Sequence, residues 1–141
     1  VNAKNYKEMF QQEKAVSVLV LTDQAPADAR KSYWMEFLQQ PTPILFGVEQ
    51  MANEFDLSVV HFTMKKIKRG QYSVEFQVLT EDPKSLSYGV LTEKHVKLLE
   101  ESIIDQPCNW LWSHKRWKRE IPTDLNALKA AQKSKFEAKY R

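Results

Sequence analysis

Val16-Ser17-Val18-Leu19-Val20-Leu21-Thr22-Asp23-Gln24 is the stretch on which the fold turns. Five of its first six residues are apolar and three are β-branched, with almost no polar alternation. Such a run predicts a strand buried on both faces, as in a parallel sheet covered by helices. Thr22-Asp23-Gln24-Ala25-Pro26 closes it. In open α/β sheets ligands bind just beyond the carboxyl ends of the parallel strands, which makes Asp23 and Gln24 candidate site residues by position. A turn-forming or capping Asp is the competing role at Asp23.

Upstream of the run, Asn2 is placed to cap a helix over Ala3 to Glu13, with Tyr6, Met9 and Phe10 on one face. Downstream, Ala25 to Gln40 reads as irregular or weakly helical, with Arg30, Lys31, Tyr33, Trp34 and Phe37 in a loop that could shape a pocket. Thr42-Pro43 has the chemistry of a helix start, Thr as N-cap and Pro at the first helical position, and the expected helix runs to Phe55. Leu45, Val48, Ala52 and Phe55 form its apolar stripe. Leu57 to Ile67 reads as a strand turned back by Lys68-Arg69-Gly70. Tyr72, Val74, Phe76 and Val78 then alternate with Ser73, Glu75 and Gln77, the period of a half-exposed antiparallel strand. Thr92 is the expected cap of the next helix, with Leu91 and Val96 as a hydrophobic staple and Leu99 and Ile103 continuing the inner face. Pro122-Thr123-Asp124 opens a last helix to about Lys139. Its apolar stripe of Leu125, Leu128, Phe136 and Tyr140 is thin, as in a polar helix appended to the domain. The expected organisation is therefore residues 1–121 as one unit and 122–141 as a C-terminal helical extension.

The chain has 141 residues, of which 43% are hydrophobic and 28% charged. That is enough to bury a core without disulfide staples. A net charge of +3 is too mild to imply a nucleic-acid partner by itself. The single cysteine forms no intrachain disulfide, and without a Cys/His ligand set neither a metal nor another cofactor is expected. No apolar run approaches the ~20 residues of a membrane span.

Pro107-Cys108-Asn109-Trp110-Leu111-Trp112-Ser113-His114-Lys115-Arg116-Trp117-Lys118-Arg119 holds three of the four tryptophans and a cluster of cations. Arg can stack on a ring and still fork onto a phosphate or carboxylate, so the segment is a candidate anion site. A strap whose tryptophans plug the core while the charges face water is the plainer reading. A basic-aromatic module for nucleic acid or an acidic carrier protein is the alternative function, because stacking plus cations is how single strands are held.

No catalytic constellation is visible. There is no glycine-rich phosphate loop, no G-x-S-x-G elbow and no metal-binding His pair. His61 falls within a strand and reads as a core or edge histidine. His95 and Glu100 are five residues apart, but on a helix that is roughly 500° of turn, which points them apart. His114 has no adjacent carboxylate to orient it as a base.

The order of segments resembles a known family. It comprises the strand ending in Asp23-Gln24, the Pro-led segment from Thr42 to Phe55, the hairpin Lys68-Arg69-Gly70-Gln71-Tyr72, the helix Leu99-Glu100-Glu101-Ser102-Ile103-Ile104, and Trp110-Leu111-Trp112-Ser113-His114-Lys115-Arg116-Trp117-Lys118. Over residues 3 to 121 this closely resembles the C-terminal half of bacterial lipid A biosynthesis (lauroyl/myristoyl-type) acyltransferases, within the lysophospholipid acyltransferase superfamily. The resemblance implies an α/β fold: the C-terminal part of a mixed sheet with flanking helices, including a β-hairpin. It implies transfer of a fatty acyl chain from acyl carrier protein to a hydroxyl of a lipid precursor, at the cytoplasmic face of the bacterial inner membrane, and no nucleic-acid partner. In the family a His-x-x-x-x-acid motif supplies the base. That motif is absent from these residues, so the chain is expected to be a soluble, inactive fragment of the whole enzyme. Asp23 matches an acidic residue that supports catalysis. Gln24, Arg69, His114, Lys115, Arg116 and Lys118 are the expected substrate-binding positions. Phe37-Leu38-Gln39-Gln40 stands where the family often has an aromatic-aromatic-glycine step. A sheet cut between strands exposes an edge, from which dimerisation is expected.

Overall fold

The computed structural model describes residues 9–10 and 16–141. The chain is mixed α/β; two separate two-stranded antiparallel sheets and three α-helices are complete among the described residues. Of the helix expected over Ala3 to Glu13, only Met9 and Phe10 are described, and both are helical; the rest lies outside the described residues.

The first sheet pairs β1 (Tyr33–Phe37) with β2 (Gln40–Ile44). The turn residues Leu38 and Gln39 both have positive φ, 49° and 60°. Two left-handed residues in a two-residue loop match the right-handed twist of the strands, although neither is a glycine. The Glu100 carboxylate accepts the Leu38 N–H and so holds the turn. In a two-residue hairpin the closing pair is hydrogen-bonded, so alternation puts the missing N–H groups of Pro41 and Pro43 on the side away from β1. The helix expected from Thr42 therefore starts only at Gly47. Local cap chemistry is overridden by tertiary bonds: Trp117 Nε1 donates to Thr42 Oγ1 at 2.8 Å, and Arg116 Nη2 to the Pro43 carbonyl at 3.0 Å. The Ala25–Gln40 segment is correspondingly not a loop throughout; it holds a short 3-10 turn (Ala29–Lys31) and β1.

Helix α1 (Gly47–Phe55) ends in a left-handed Asp56. The second sheet is the hairpin of β3 (Val59–Lys68) and β4 (Gln71–Thr80), turned at Gly70 with φ 76°. Helix α2 (Val90–Asp105) begins at Gly89 rather than being capped by Thr92. Gly89 has φ 86°, and an added Cβ would lie 2.4 Å from the Tyr33 hydroxyl, so only glycine fits there. The cap comes from another element. Glu49 on α1, 2% exposed, accepts Gly89 N–H at 2.6 Å, Thr92 N–H at 2.9 Å and Thr92 Oγ at 2.6 Å. A carboxylate at a helix N-terminus satisfies orphan donors and complements the dipole.

Phe37, Ile44, Val96 and Ile103 form one core between β1–β2 and α2, flanked by Trp110 and Trp117. Ala52, Leu79 and Leu91 form a second between α1, β4 and α2. Full burial of each large side chain contributes about 1.5–3 kcal/mol. Helix α3 (Leu125–Tyr140) docks through Phe136, which is buried against Phe46 and Tyr88. Asp124, expected near its start, spends its carboxylate on Arg30, at 3.0 and 2.6 Å, rather than on its own helix.

The decisive correction concerns Val16–Leu21. It forms no strand and joins neither sheet. Val16 and Val18 are half-buried, but Leu19 and Leu21 are 69% and 65% exposed. A strand is a property of a pair, and no described strand lies in register to pair with this run. Hydrophobicity alone gave it the look of an interior strand; without a ladder it remains an extended wall. The sheets here are antiparallel hairpins, and the parallel strand read from this run is not formed.

Candidate functional site

A cavity of about 610 Å³ lies between the Val16–Asp23 wall, α1, the start of β3 and α2. Val48, Met51 and Ala52 line it from α1, Val59 and Phe62 from β3, and Leu99 from α2. Three polar residues that titrate or accept protons punctuate this apolar lining: Asp23, His61 and His95. Burial pulls the His61 imidazole below its usual range. His95 is pushed down to about 4 by burial, with nearby His61 adding to the effect. Both rings are therefore neutral near pH 7, as an apolar wall requires.

The tryptophan-basic segment turns inward, and its polar atoms stitch the Asp23 loop to the body. Ala25 N–H donates to His114 Nε2 at 3.0 Å, and Arg119 Nε donates to the Pro26 carbonyl at 3.0 Å. An accepting Nε2 leaves Nδ1 as the protonated nitrogen of a neutral His114 ring. Arg116 is 2% exposed, with its guanidinium 5.7 Å from the centre of the Phe37 ring. Its Nη2 has the Pro43 carbonyl, but Nε and Nη1 are buried with no hydrogen-bond partner. Burial pulls its pKa down and the Asp23 carboxylate pulls it back up, so the two residues lie within each other's field.

The sequence-derived positions thus separate into groups. Asp23, His114 and Arg116 come together around the 23–26 loop, with Gln24 exposed beside Asp23. Lys115 and Lys118 are exposed on the same segment. Arg69 stands apart at the β3–β4 turn, about 20 Å of strand beyond the cavity-lining Phe62. Sequence reasoning missed Arg119, set aside His61 as a core or edge histidine, and dismissed His95 because Glu100 lies on another face of the helix. Their only sequence signal is polarity at positions where the element's period points inward. Among the described residues no cluster of three or more His, Cys, Asp or Glu side chains could hold a metal ion, and no helix is long and apolar enough to cross a membrane.

An apolar cleft with one carboxylate at its rim, itself in the field of a buried cation, is the kind of site that takes a chain-bearing substrate with a polar end. The sequence assigns the class: residues 2–119 match bacterial lipid A biosynthesis acyltransferase, and the chain belongs to that family. No curated protein and no solved structure matches it. The matched range holds Asp23, the cavity walls and the whole tryptophan-basic segment, and stops short of α3.

Proposed function

We propose that this chain is the substrate-side part of an acyltransferase that moves a fatty acyl chain from acyl carrier protein to a hydroxyl of a membrane-lipid precursor, lipid A or a relative. The observation that carries the reading is the placement of Asp23 at the rim of the 610 Å³ apolar cavity, in the field of buried Arg116. An acyl chain fits the cavity's lining, and its thioester end would lie toward Asp23. Asp23 orients a reacting group or the base rather than acting as the base. Among the described residues no carboxylate is hydrogen-bonded to His61 or His95, and His114 Nε2 is occupied by the Ala25 N–H, so in this reading the base is supplied from elsewhere in the enzyme. Exposed Lys115, Lys118 and Gln24 are placed to meet phosphate or the acidic surface of the carrier protein, and Arg69, at the distant β3–β4 turn, to meet lipid phosphate. The burial of Arg116 suits it to fixing Asp23 rather than to meeting an anion from solvent. The reaction belongs at the cytoplasmic face of the inner membrane.

Acyl transfer from acyl carrier protein is to be assayed with the whole gene product. Asp23→Ala and Arg116→Ala each lower the rate by about 100-fold or more, the range for losing a positioned group in proton transfer. Wild-type rates in both variants would remove these residues from the mechanism. The 141-residue chain alone gives no turnover; measurable turnover means that the base is already present in it. Light scattering on the chain tests the expected dimer.

A further inference from the structure

The β3–β4 hairpin has two unlike faces. The register places Val60 opposite Val78, Phe62 opposite Phe76, Met64 opposite Val74 and Lys66 opposite Tyr72, and alternation puts all eight on one face. His61, Thr63, Lys65, Ser73, Glu75 and Gln77 share the other face. That second face turns toward α2: Lys65 pairs with Asp105 at 3.8 Å, and His61 acts on His95. Gln106, just past α2, clamps the β3 backbone by accepting Lys66 N–H at 3.1 Å and donating to the Lys66 carbonyl at 3.4 Å. The hairpin's orientation is therefore fixed: Val60 and Phe62, at the near end of the apolar face, border the cavity, while Met64, Tyr72, Val74 and Phe76 continue that face outward, on the side opposite α2.

Beyond half-buried Phe62 that face is open among the described residues. Val60, Met64, Tyr72, Val74, Phe76 and Val78 are all exposed, Phe76 to 75%. A contiguous apolar surface of this kind marks an interaction site, whereas scattered exposed residues do not. Its charge says which partner fits. No acidic residue stands on the face. At its distal end Lys66, Lys68 and Arg69 are exposed beside Ile67, and among the described residues no carboxylate pairs with any of them. Aromatic and aliphatic side chains edged by unpaired cations are the composition of a surface that enters the headgroup boundary of an anionic bilayer. A second copy docked face to face brings only apolar contact, with no carboxylate to meet those cations.

We propose that the apolar face of β3–β4 is a membrane-docking surface, with Val74, Phe76 and Val78 entering the acyl boundary and Lys66, Lys68 and Arg69 meeting anionic headgroups. The inference does not depend on the acyl-transfer reading, and its test involves no turnover. The chain is sedimented with vesicles of phosphatidylcholine alone and with vesicles containing phosphatidylglycerol. Binding appears on the anionic vesicles and weakens with added salt. A Lys66→Glu, Lys68→Glu, Arg69→Glu variant loses about a hundredfold in partitioning, at about fivefold per cation. Phe76→Ser loses about tenfold, and Lys129→Glu, Lys133→Glu on α3 changes nothing. Circular dichroism confirms that each variant is folded. No binding to anionic vesicles, binding equal on both vesicle types, or binding unchanged by the hairpin charge reversal each overturns the proposal. A dimer that Phe76→Ser converts to monomer, in a chain that ignores vesicles, assigns the face to a second copy instead.

Discussion

Replacing Arg116 with methionine should make the fold more stable while abolishing its function. Arg116 is buried with a single hydrogen bond, to the Pro43 carbonyl, and with Nε and Nη1 unpartnered. Each unsatisfied buried donor costs about 1–3 kcal/mol, and burial of the charge adds a further penalty that Asp23, only half-buried, offsets weakly. Arg116→Met removes both orphan donors and keeps most of the volume. Against that stand the lost bond, the stranded Pro43 carbonyl and the lost cation–ring contact with Phe37, together about 2–3 kcal/mol. The balance favours methionine by about 1–2 kcal/mol, which for a chain of this size is a rise in Tm of about 3–8 °C. Thermal unfolding followed by circular dichroism, with urea midpoints as a cross-check, reads this directly. The whole enzyme carrying the same substitution should lose acyl transfer. A fall in Tm of 5 °C or more would refute the reasoning, because it would mean that Arg116 holds the fold through bonds its two nitrogens are here shown to lack.

Glu49→Ala strands two buried backbone N–H groups and the Thr92 hydroxyl, and should cost about 3 kcal/mol in urea unfolding. Gly89→Ala places a methyl group against the Tyr33 ring at positive φ and should cost about 2 kcal/mol or more; an unchanged urea midpoint would show that Tyr33 swings aside. His95, depressed from 6.5 to about 4, is neutral in the fold while the unfolded chain binds a proton below pH 6.5. Stability is therefore full above pH 6.5 and falls as the pH drops toward 4, by about 2 kcal/mol once partial solvent screening is allowed for. In His95→Leu that part of the pH dependence disappears. Glu49 works in the opposite sense: burial raises its carboxyl pKa, so its contribution is full below the ordinary 4.5 and is lost as pH rises through the raised value. Glu49→Gln removes that slope.

The β3–β4 hairpin was legible because alternation and a Gly turn are local signals, and both survive in the structure. So was the body of α2, whose Val96 and Ile103 are buried as their spacing predicts. The Val16–Leu21 run was misread because composition reports the tendency to be buried, not the presence of a pairing partner. Thr42-Pro43 was misread because it pairs with β1 instead, and because the bonds that occupy its hydroxyl and carbonyl come from Trp117 and Arg116, more than seventy residues away. The cap of α2 was invisible for the same reason: Thr92 is a credible cap in sequence, but its donors go to Glu49, on another helix. Asp23 was singled out as the residue beyond a parallel strand that does not form, and the bonds from His114 and Arg119 that hold its loop had no local signal.

Of the four cations in the tryptophan-basic segment, Lys115 and Lys118 face water while Arg116 and Arg119 bond inward. A cation on the surface can attract an anion, but it cannot fix the geometry of a loop. His114 and Arg119 bond to Ala25 and Pro26, just past Asp23, while Arg116 and Trp117 bond to Pro43 and Thr42. One stretch thereby ties the end of the cavity wall and the edge strand β2 to the same anchor. Asp23 is held from its C-terminal side by two side chains on that stretch and biased by a third, so shifting the segment's register by even one residue displaces the carboxylate from the cavity rim. Lys115 and Lys118, alternating with the inward residues, are the positions left over to meet a partner. The alternation also separates the roles experimentally: Lys115→Ala and Lys118→Ala should weaken carrier-protein binding and leave the urea midpoint within about 0.5 kcal/mol of wild type. His114→Ala and Arg119→Ala should loosen the Asp23 loop, and amide hydrogen exchange over residues 22–26 should report it. Equal exchange in all four variants would mean that the stitching bonds carry no weight.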